Sequence, residues 1–575
     1  MTSLARTRYS RVLFCCLFAV ITLGAVAAAS GEILYAVVVS KETHADSNWK
    51  AVVDALVAKH QATVVEYEGD VNETLPELRK LMPRYACFVA KPEDAGRLFV
   101  IGIHRMARKL NSDPYTDLMW GIITGYTPED ALRIAKTEKP LIIRKLAGGI
   151  VIGMDPFDEA ICYKESSKNE YVEKKPGGQP ETKTGNGDDA FPLADIINTR
   201  KPDMFVTSGH ATERDWQIGY PAGNEKGMFW RQEGKLLAIA KDHKQAKLIS
   251  SENPKVLLAA GNCLMGHCID RDAICLAWMH TAGVTQMIGY TVNQWYPAAG
   301  FGTLDYFLSE SGRYTLNEAF YLNNQKIVYD LDTRFPKSAR MGFTEWDLAK
   351  DRGILGRMVP KLGYTNPKPE DKDRIKDNLG LLWDRDTLAF YGDPAWEARL
   401  APRDLPFSKE LVINGNEYTF RITANADCAP GREPGMILPQ RIKGIEVTKG
   451  QELSPLVTAN FVMLMKPGKF QKGKTYEVVF KAEPIDPSAP VLKTSTGTVT
   501  NAAASAAPAV SQSGESADRS AVRVWTDQTG QHKTRAKLLS VENGAVKLQK
   551  ENGAVITVPI AKLSEADQQF LGSAK

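Results

Sequence analysis

From residue 32 to about residue 402 the chain alternates short runs rich in β-branched and aromatic residues with amphipathic stretches at helical spacing. That alternation is the pattern of a mainly parallel sheet covered by helices, an α/β fold. The runs predict strands over 33–39, 62–67, 85–89, 149–153, 204–207, 256–260 and 285–290. Between the first two, residues 48–59 (NWKAVVDALVAK) repeat apolar positions at helical spacing, which predicts a β-α-β unit. Residues 164–189 are polar and rich in Lys, Glu, Gly and Asn, which predicts an exposed loop. From 407 to 482 the pattern turns to β only, with a hairpin at Asn414-Gly415 and a further strand over 475–480, so a small all-β sandwich is expected. Residues 485–520 contain no aromatic side chain and are dominated by Ala, Ser, Thr and Pro, which predicts a disordered linker. Beyond it, Glu-Asn-Gly-Ala-Val occurs twice, from Glu542 and from Glu551. Tight turns there make a strand meander, a short helix follows over 565–571, and the whole reads as a small barrel-like β module.

The expected organisation is therefore a leader over 1–29, an α/β region over 30–402, an all-β sandwich over 403–484, a linker over 485–520 and a β module over 521–575. The leader is read from Arg6, Arg8 and Arg11, an apolar stretch from Val12 to Val26, and small residues Ala27 to Ser30. This is the pattern of a secretory signal and implies a periplasmic, cell-surface or extracellular protein; an uncleaved membrane anchor is the rival. No later segment is long and apolar enough to span a bilayer. The formal charge of +4 falls close to neutral once the three leader arginines are removed, so bulk attraction to nucleic acid is not indicated. Six cysteines remain after the leader, Cys87, Cys162, Cys263, Cys268, Cys275 and Cys428, too few for a disulfide-built scaffold.

Two of the predicted strands end in small polar turns that carry reactive side chains: 203–212 (DMFVTSGHAT) runs into His210, and 255–263 (KVLLAAGNC) runs into Cys263. Loops at the carboxyl ends of neighbouring parallel strands lie side by side, so these two residues can meet across 53 positions. An imidazole beside a thiol lowers its pKa and can later protonate a leaving amine. Gly209 lets the chain turn before the histidine. If Cys263 opens a helix, its backbone N–H together with that of Ala211 supplies an oxyanion hole. The dyad needs no cofactor; structural calcium is not readable from the sequence.

The stretch from Pro202 to Thr212 and the apolar run into Cys263 resemble the histidine and cysteine motifs of caspase-like cysteine peptidases, most closely the gingipain branch. Residues 388–394 (LAFYGDP) resemble the Gly-Asp-Pro near the end of the gingipain catalytic region. The resemblance implies a caspase-like parallel-sheet peptidase region over about 30–485 with its β-sandwich, His210 as general base, Cys263 as nucleophile, and protein or peptide substrates. It departs from the family pattern at Ala211, where Gly is usual, and at Gly261-Asn262 before the cysteine. Gingipains prefer a basic residue before the cleaved bond. Asp155 and Asp158 are the candidate pocket carboxylates and Trp295 a candidate pocket wall, although a helix cap or loop acid and a core tryptophan are the plainer readings.

Two alternatives accompany that expectation. Cys263, His267 and Cys268 crowd together, with Cys275 and His280 close behind, which keeps a zinc site in view, but no Cys-x-x-Cys pair is present and no metal site is assigned. The second is a catalytically inactive peptidase-fold scaffold that binds protein partners through its tail. Residues 523–530 (RVWTDQTG) and 558–564 (VPIAKLS) resemble the SH3-like Sla homology domain one. That resemblance implies a short-peptide or surface ligand around Trp525, with eight basic against five acidic residues over 521–575 favouring acidic partners.

Overall fold

A computed structural model describes residues 35–220, 225–344, 353–488, 491–492, 496–501, 522–528, 532–542, 544–550, 554–564, 567–568 and 571. The expected leader and most of the expected linker and terminal helix fall outside the described residues. The chain divides into two compact units, Met1–Asn501 and Ala502–Lys575.

The first unit is built on a twelve-stranded sheet. Its strands, in chain order, are β1 (Tyr35–Ser40), β2 (Thr63–Tyr67), β3 (Tyr85–Val89), β4 (Met119–Ile123), β5 (Lys145–Gly148), β6 (Glu159–Tyr163), β7 (Glu170–Lys174), β8 (Glu181–Thr184), β9 (Met204–Gly209), β10 (Lys255–Asn262), β11 (Val284–Tyr290) and β12 (Leu388–Tyr391). They lie in the order β2-β1-β3-β4-β12-β11-β10-β9-β5-β6-β7-β8. Strands β2, β1, β3, β4 and β12 are mutually parallel, as are β11, β10, β9, β5 and β6. The two sets run in opposite directions and meet at the antiparallel β11–β12 seam, where Tyr290 pairs with Leu388. The sheet is thus two parallel halves joined head to tail. Parallel strands covered on both faces need apolar residues at every position, and β9 and β10 are buried throughout.

The β-α-β unit forms around helix α1 (Ser47–His60). Asp46 caps it by accepting from the Asn48 N–H at 3.1 Å, and Trp49, Val52, Val53 and Leu56 form its buried stripe. Three expectations change. The strand expected at 149–153 lies earlier, as β5, because Gly149 must follow it: a Cβ there would stand 2.4 Å from the Trp216 ring. The segment expected to be an exposed loop at 164–189 instead contains β7 and β8, an antiparallel extension of the sheet. Their polar sequence hides the pairing, which rests on backbone bonds and on Glu173, held by Lys183 and Arg200. The linker expected from 485 also starts too early, because Thr498–Asn501 pairs in parallel with Phe407–Asn414.

That last strand completes a five-stranded sheet with Glu417–Ala424, Ile442–Lys449 and Thr475–Pro484, opposed by the three-stranded Gly435–Ile437, Pro455–Val457 and Phe461–Leu464. Leu411, Tyr418, Phe420, Val478 and Phe480 fill the space between the sheets. The sandwich does not stand alone: Ile437, Phe461 and Met463 belong to the main core. In the second unit, Val522–Thr526, Lys533–Glu542, Ala545–Lys550 and Val555–Pro559 form a four-stranded antiparallel meander in sequence order. Trp525, Ala536, Leu538, Val546, Leu548 and Leu563 are its core.

Candidate active site

Strands β9 and β10 are parallel neighbours, and their register is irregular. Thr207 pairs with Ala259, whereas Ser208 pairs with Gly261 and Gly209 with Asn262. Ala260 is therefore an extra residue, a β-bulge. Regular pairing would set Gly209 opposite Gly261; the bulge advances β10 by one residue, so the paired strands end at Gly209 and Asn262, immediately before His210 and Cys263. Bulges re-aim side chains in this way beside active sites. Glycine lets the bulge pack: a Cβ at Gly261 would stand 2.6 Å from Ser208 Oγ, and one at Gly300 would stand 2.2 Å from the Ala260 carbonyl. Asn262 locks the arrangement, accepting from Thr207 Oγ1 at 2.6 Å and donating to the Gly209 carbonyl at 3.0 Å.

The histidine leaves its strand through Gly209, whose φ is 104°. A Cβ at that position would meet the Gly219 carbonyl at 2.6 Å, so the turn requires glycine on both grounds. His210 is exposed, and its ring meets Tyr220 edge-on at 5.5 Å between centroids. The Tyr220 hydroxyl in turn lies 3.1 Å from Ser208 Oγ. Ala211 bridges to Trp216 through Gln217 N–H to His210 O and Thr212 N–H to Asp215 O. Neither bond uses the Ala211 N–H, which therefore points away from that turn.

Cys263 is partly exposed and in no disulfide. Its sulfur is clasped by one residue: the Gln294 N–H donates to Sγ at 3.3 Å, and Sγ–H has the Gln294 carbonyl as acceptor at 3.6 Å. Gln294 follows β11, the next strand over, so three adjacent strand ends converge on the thiol. Trp295 follows Gln294 and is partly buried against the core, with a buried indole N–H that has no hydrogen-bond partner among the described residues.

Two expectations are corrected here. Cys263 does not open a helix; it enters a turn in which Leu264 has φ 58°, and the helix begins only at Ile274. The helix-terminus part of the oxyanion argument falls with it. Two of the residues that kept a zinc site in view are held by other partners. His267 pairs with Glu213 at 3.1 Å, Cys268 donates to the Pro92 carbonyl at 3.2 Å, and no group of three or more His, Cys, Asp or Glu able to hold a metal occurs among the described residues. Asp155 and Asp158 sit at the wrong edge of the sheet. Asp158 immediately precedes β6, where Lys145 pairs with Glu159, seven positions below His210 by register and thus about 20 Å away along the strands. It is held by Arg144 at 3.0 Å and Arg403 at 3.4 Å. Asp155 is exposed there too, its carbonyl accepting from Lys174. Trp525 is 2% exposed and its Nε1–H donates to the Ala536 carbonyl at 3.0 Å, so it anchors the core of the C-terminal module.

Sequence reasoning missed Gln294, Tyr220 and Glu213. Gln294 stands directly before Trp295 and Glu213 three residues after His210, but nothing in their spacing marks either. The Glu213 carboxyl is held below its usual range, chiefly by its hydrogen bond to His267.

Residues 513–575 match the family described as SLA1 homology domain 1, SHD1. The chain is 47% identical over 49 residues to the actin cytoskeleton-regulatory complex protein SLA1 of Mycosarcoma maydis, which is 8% of this chain and 4% of that protein. It is 41% identical over 54 residues to the actin cytoskeleton-regulatory complex protein sla1 of Schizosaccharomyces pombe, 9% of this chain and 4% of that protein. The chain thus aligns with about 4% of the length of these curated relatives. Among solved structures, it is similar to a complex of Porphyromonas gingivalis RgpB pro- and mature domains, at TM-score 0.35 and 11% identity over 81% of this chain and 100% of that one. The Arg-specific cysteine proteinase gingipain R (RGPB) scores 0.33 at 11% identity over 82% of this chain and 99% of that one. Scores this low carry no argument about the site. No helix among the described residues is long and apolar enough to cross a membrane.

Proposed function

We propose that the protein is a cysteine endopeptidase acting through Cys263 and His210. The observation that carries this reading is the bulged register, by which two adjacent parallel strands end at paired Gly209 and Asn262, immediately before His210 and Cys263. In the proposed reaction His210 takes the thiol proton, the sulfur attacks the substrate carbonyl, and the C–N bond breaks as His210 returns the proton to the amine. Water then attacks the thioester, with His210 again as base, and releases the acid. The Gln294 N–H orients the sulfur before attack. The Ala211 N–H, unused by its own turn, is the candidate donor to the oxyanion. With Asp155 and Asp158 at the far edge, cleavage after basic residues has no assigned carboxylate.

The test is hydrolysis of a mixed-P1 fluorogenic peptide library under reducing conditions, beside Cys263→Ala and His210→Ala. Loss in both variants with folding intact supports the dyad. Absence of cleavage by folded wild-type protein would turn the reading to a non-catalytic scaffold.

The SHD1 match supports a second element of the reading, in which the C-terminal unit is a protein-recognition module. A cavity of about 440 Å³ lined by Trp525, His532, Leu548, Ile556, Val558 and Lys562 is its candidate ligand site.

A further inference from the structure

Beside the loop that clasps Cys263 lies a cavity of about 550 Å³ whose lining includes Arg105, Arg108, Lys109, Arg340, Arg385 and Phe343. The two are connected by contact: Trp383 Nε1–H donates to the Asn293 carbonyl at 3.1 Å, one residue before Gln294, and Phe343 packs edge-on against Trp383 at 4.8 Å. Among the described residues, five cations face two carboxylates here. Asp386, buried beneath, answers three guanidiniums at once, Arg108 at 2.6 Å, Arg385 at 3.0 Å and Arg105 at 3.4 Å. Asp332 lies exposed on the rim.

One carboxylate neutralises one guanidinium, so the cavity keeps a surplus of positive charge. Its position is fixed. Arg385 donates to the carbonyls of Ala339 and Met341, each at 2.7 Å, and Arg105 to that of Phe343 at 2.7 Å. Donors remain: Arg105 Nη1, Arg108 Nε and Nη1, and the whole head groups of Lys109 and Arg340 have no hydrogen bond or ion pair among the described residues. Burial first, then repulsion from Arg385 and Arg105, pushes the Arg108 pKa down to about 10 against the pull of Asp386. Val328, Leu331 and Met341 make part of the wall apolar, which strengthens the field inside.

We infer that this cavity is a binding site for a doubly charged oxyanion of phosphate or sulfate geometry, held by Arg105, Arg108, Lys109 and Arg340. The site is independent of whether the chain cleaves peptides. Charge-assisted bonds to planar guanidiniums and to a lysine ammonium are the usual means of holding such a group.

The experiment is calorimetric titration of the full chain with inorganic phosphate and, in a second arm, with O-phosphoserine, at ionic strength matched with chloride. Saturable binding beyond the chloride control, weakened about tenfold or more by the double variant Lys109→Ala, Arg340→Ala and unchanged by Lys443→Ala on the sandwich, supports the site. Both altered side chains are exposed, so folding is retained and is checked by the melting curve. The tighter arm distinguishes a free anion from an esterified one. No binding beyond chloride in either arm, or binding indifferent to the double variant, overturns the inference.

Discussion

The two halves of the sheet end a strand in the same way and use it differently. In one, β9 ends Ser208-Gly209 and delivers His210; in the other, β12 ends at Tyr391 and Gly392 delivers Asp393. Gly209 has φ 104° and Gly392 φ 110°. A Cβ would strike the Gly219 carbonyl at 2.6 Å in the first and the Thr285 carbonyl at 2.4 Å in the second. The backbone device is shared, but the fate of the delivered side chain is not. Asp393 is fully buried, and its carboxylate accepts from Tyr35 Oη at 2.8 Å, Lys59 Nζ at 2.9 Å, His60 Nε2 at 2.7 Å and the Ala395 N–H at 2.9 Å. His210 is exposed, with a tyrosine edge against its ring. A saturated buried charge holds structure together; an exposed imidazole stays open to a substrate, as the role proposed for His210 requires.

The sharpest break in this comparison is to remove the delivered group from each side. Cys263→Ala is expected to abolish peptide hydrolysis, and His210→Ala to lower kcat/KM by about 10²–10⁴-fold, each with an unchanged melting temperature. Asp393→Ala should do the reverse, costing about 3–5 kcal/mol in urea unfolding because Lys59 is left as an uncompensated, largely buried charge.

Acid sharpens the same contrast. Burial alone would raise the Asp393 pKa, but His60 and Lys59 outweigh it and hold it well below the usual carboxylate range. Arg108 and Arg385 do the same for Asp386 against its own burial. In both cases the unfolded chain binds the proton more readily, so their stabilisation is full above about pH 4 and is lost as pH falls further. The melting temperature should fall steeply below that point, and Asp393→Asn should flatten the decline.

Smaller effects test the turn itself. Gly209→Ala and Gly392→Ala should each destabilise by about 1–3 kcal/mol through backbone strain, but only Gly209→Ala should also reduce hydrolysis. Least of all, Tyr220→Phe removes one hydroxyl contact to Ser208 and should cost about 1 kcal/mol or less, read as a shift in the unfolding midpoint.

Much of the half containing His210 and Cys263 was legible in the chain. The apolar runs into His210 and Cys263 are long and uniform enough to announce buried parallel strands, and the helix at 47–60 announces itself by its stripe. Other elements were not legible. Strands β7 and β8 carry few apolar residues, so periodicity is silent about them, and β12 was read as a motif without its role as the seam. Asp155 and Asp158 looked well placed only because β5 was set four residues too late, which moved their loop to the wrong edge.

The residue types alone determined which chemistry is available: a thiol, an imidazole, two strand-ending glycines and an abundance of buried β-branched side chains. Tertiary structure decided what that chemistry can do. The bulge at Ala260, which brings Asn262 opposite Gly209, exists because β9, β10 and the helix opening at Gly300 must pack together at backbone contact. The clasp by Gln294 depends on a third strand lying alongside. Such constraints arise between segments far apart in sequence, through close approach and burial, and local pattern carries no record of them.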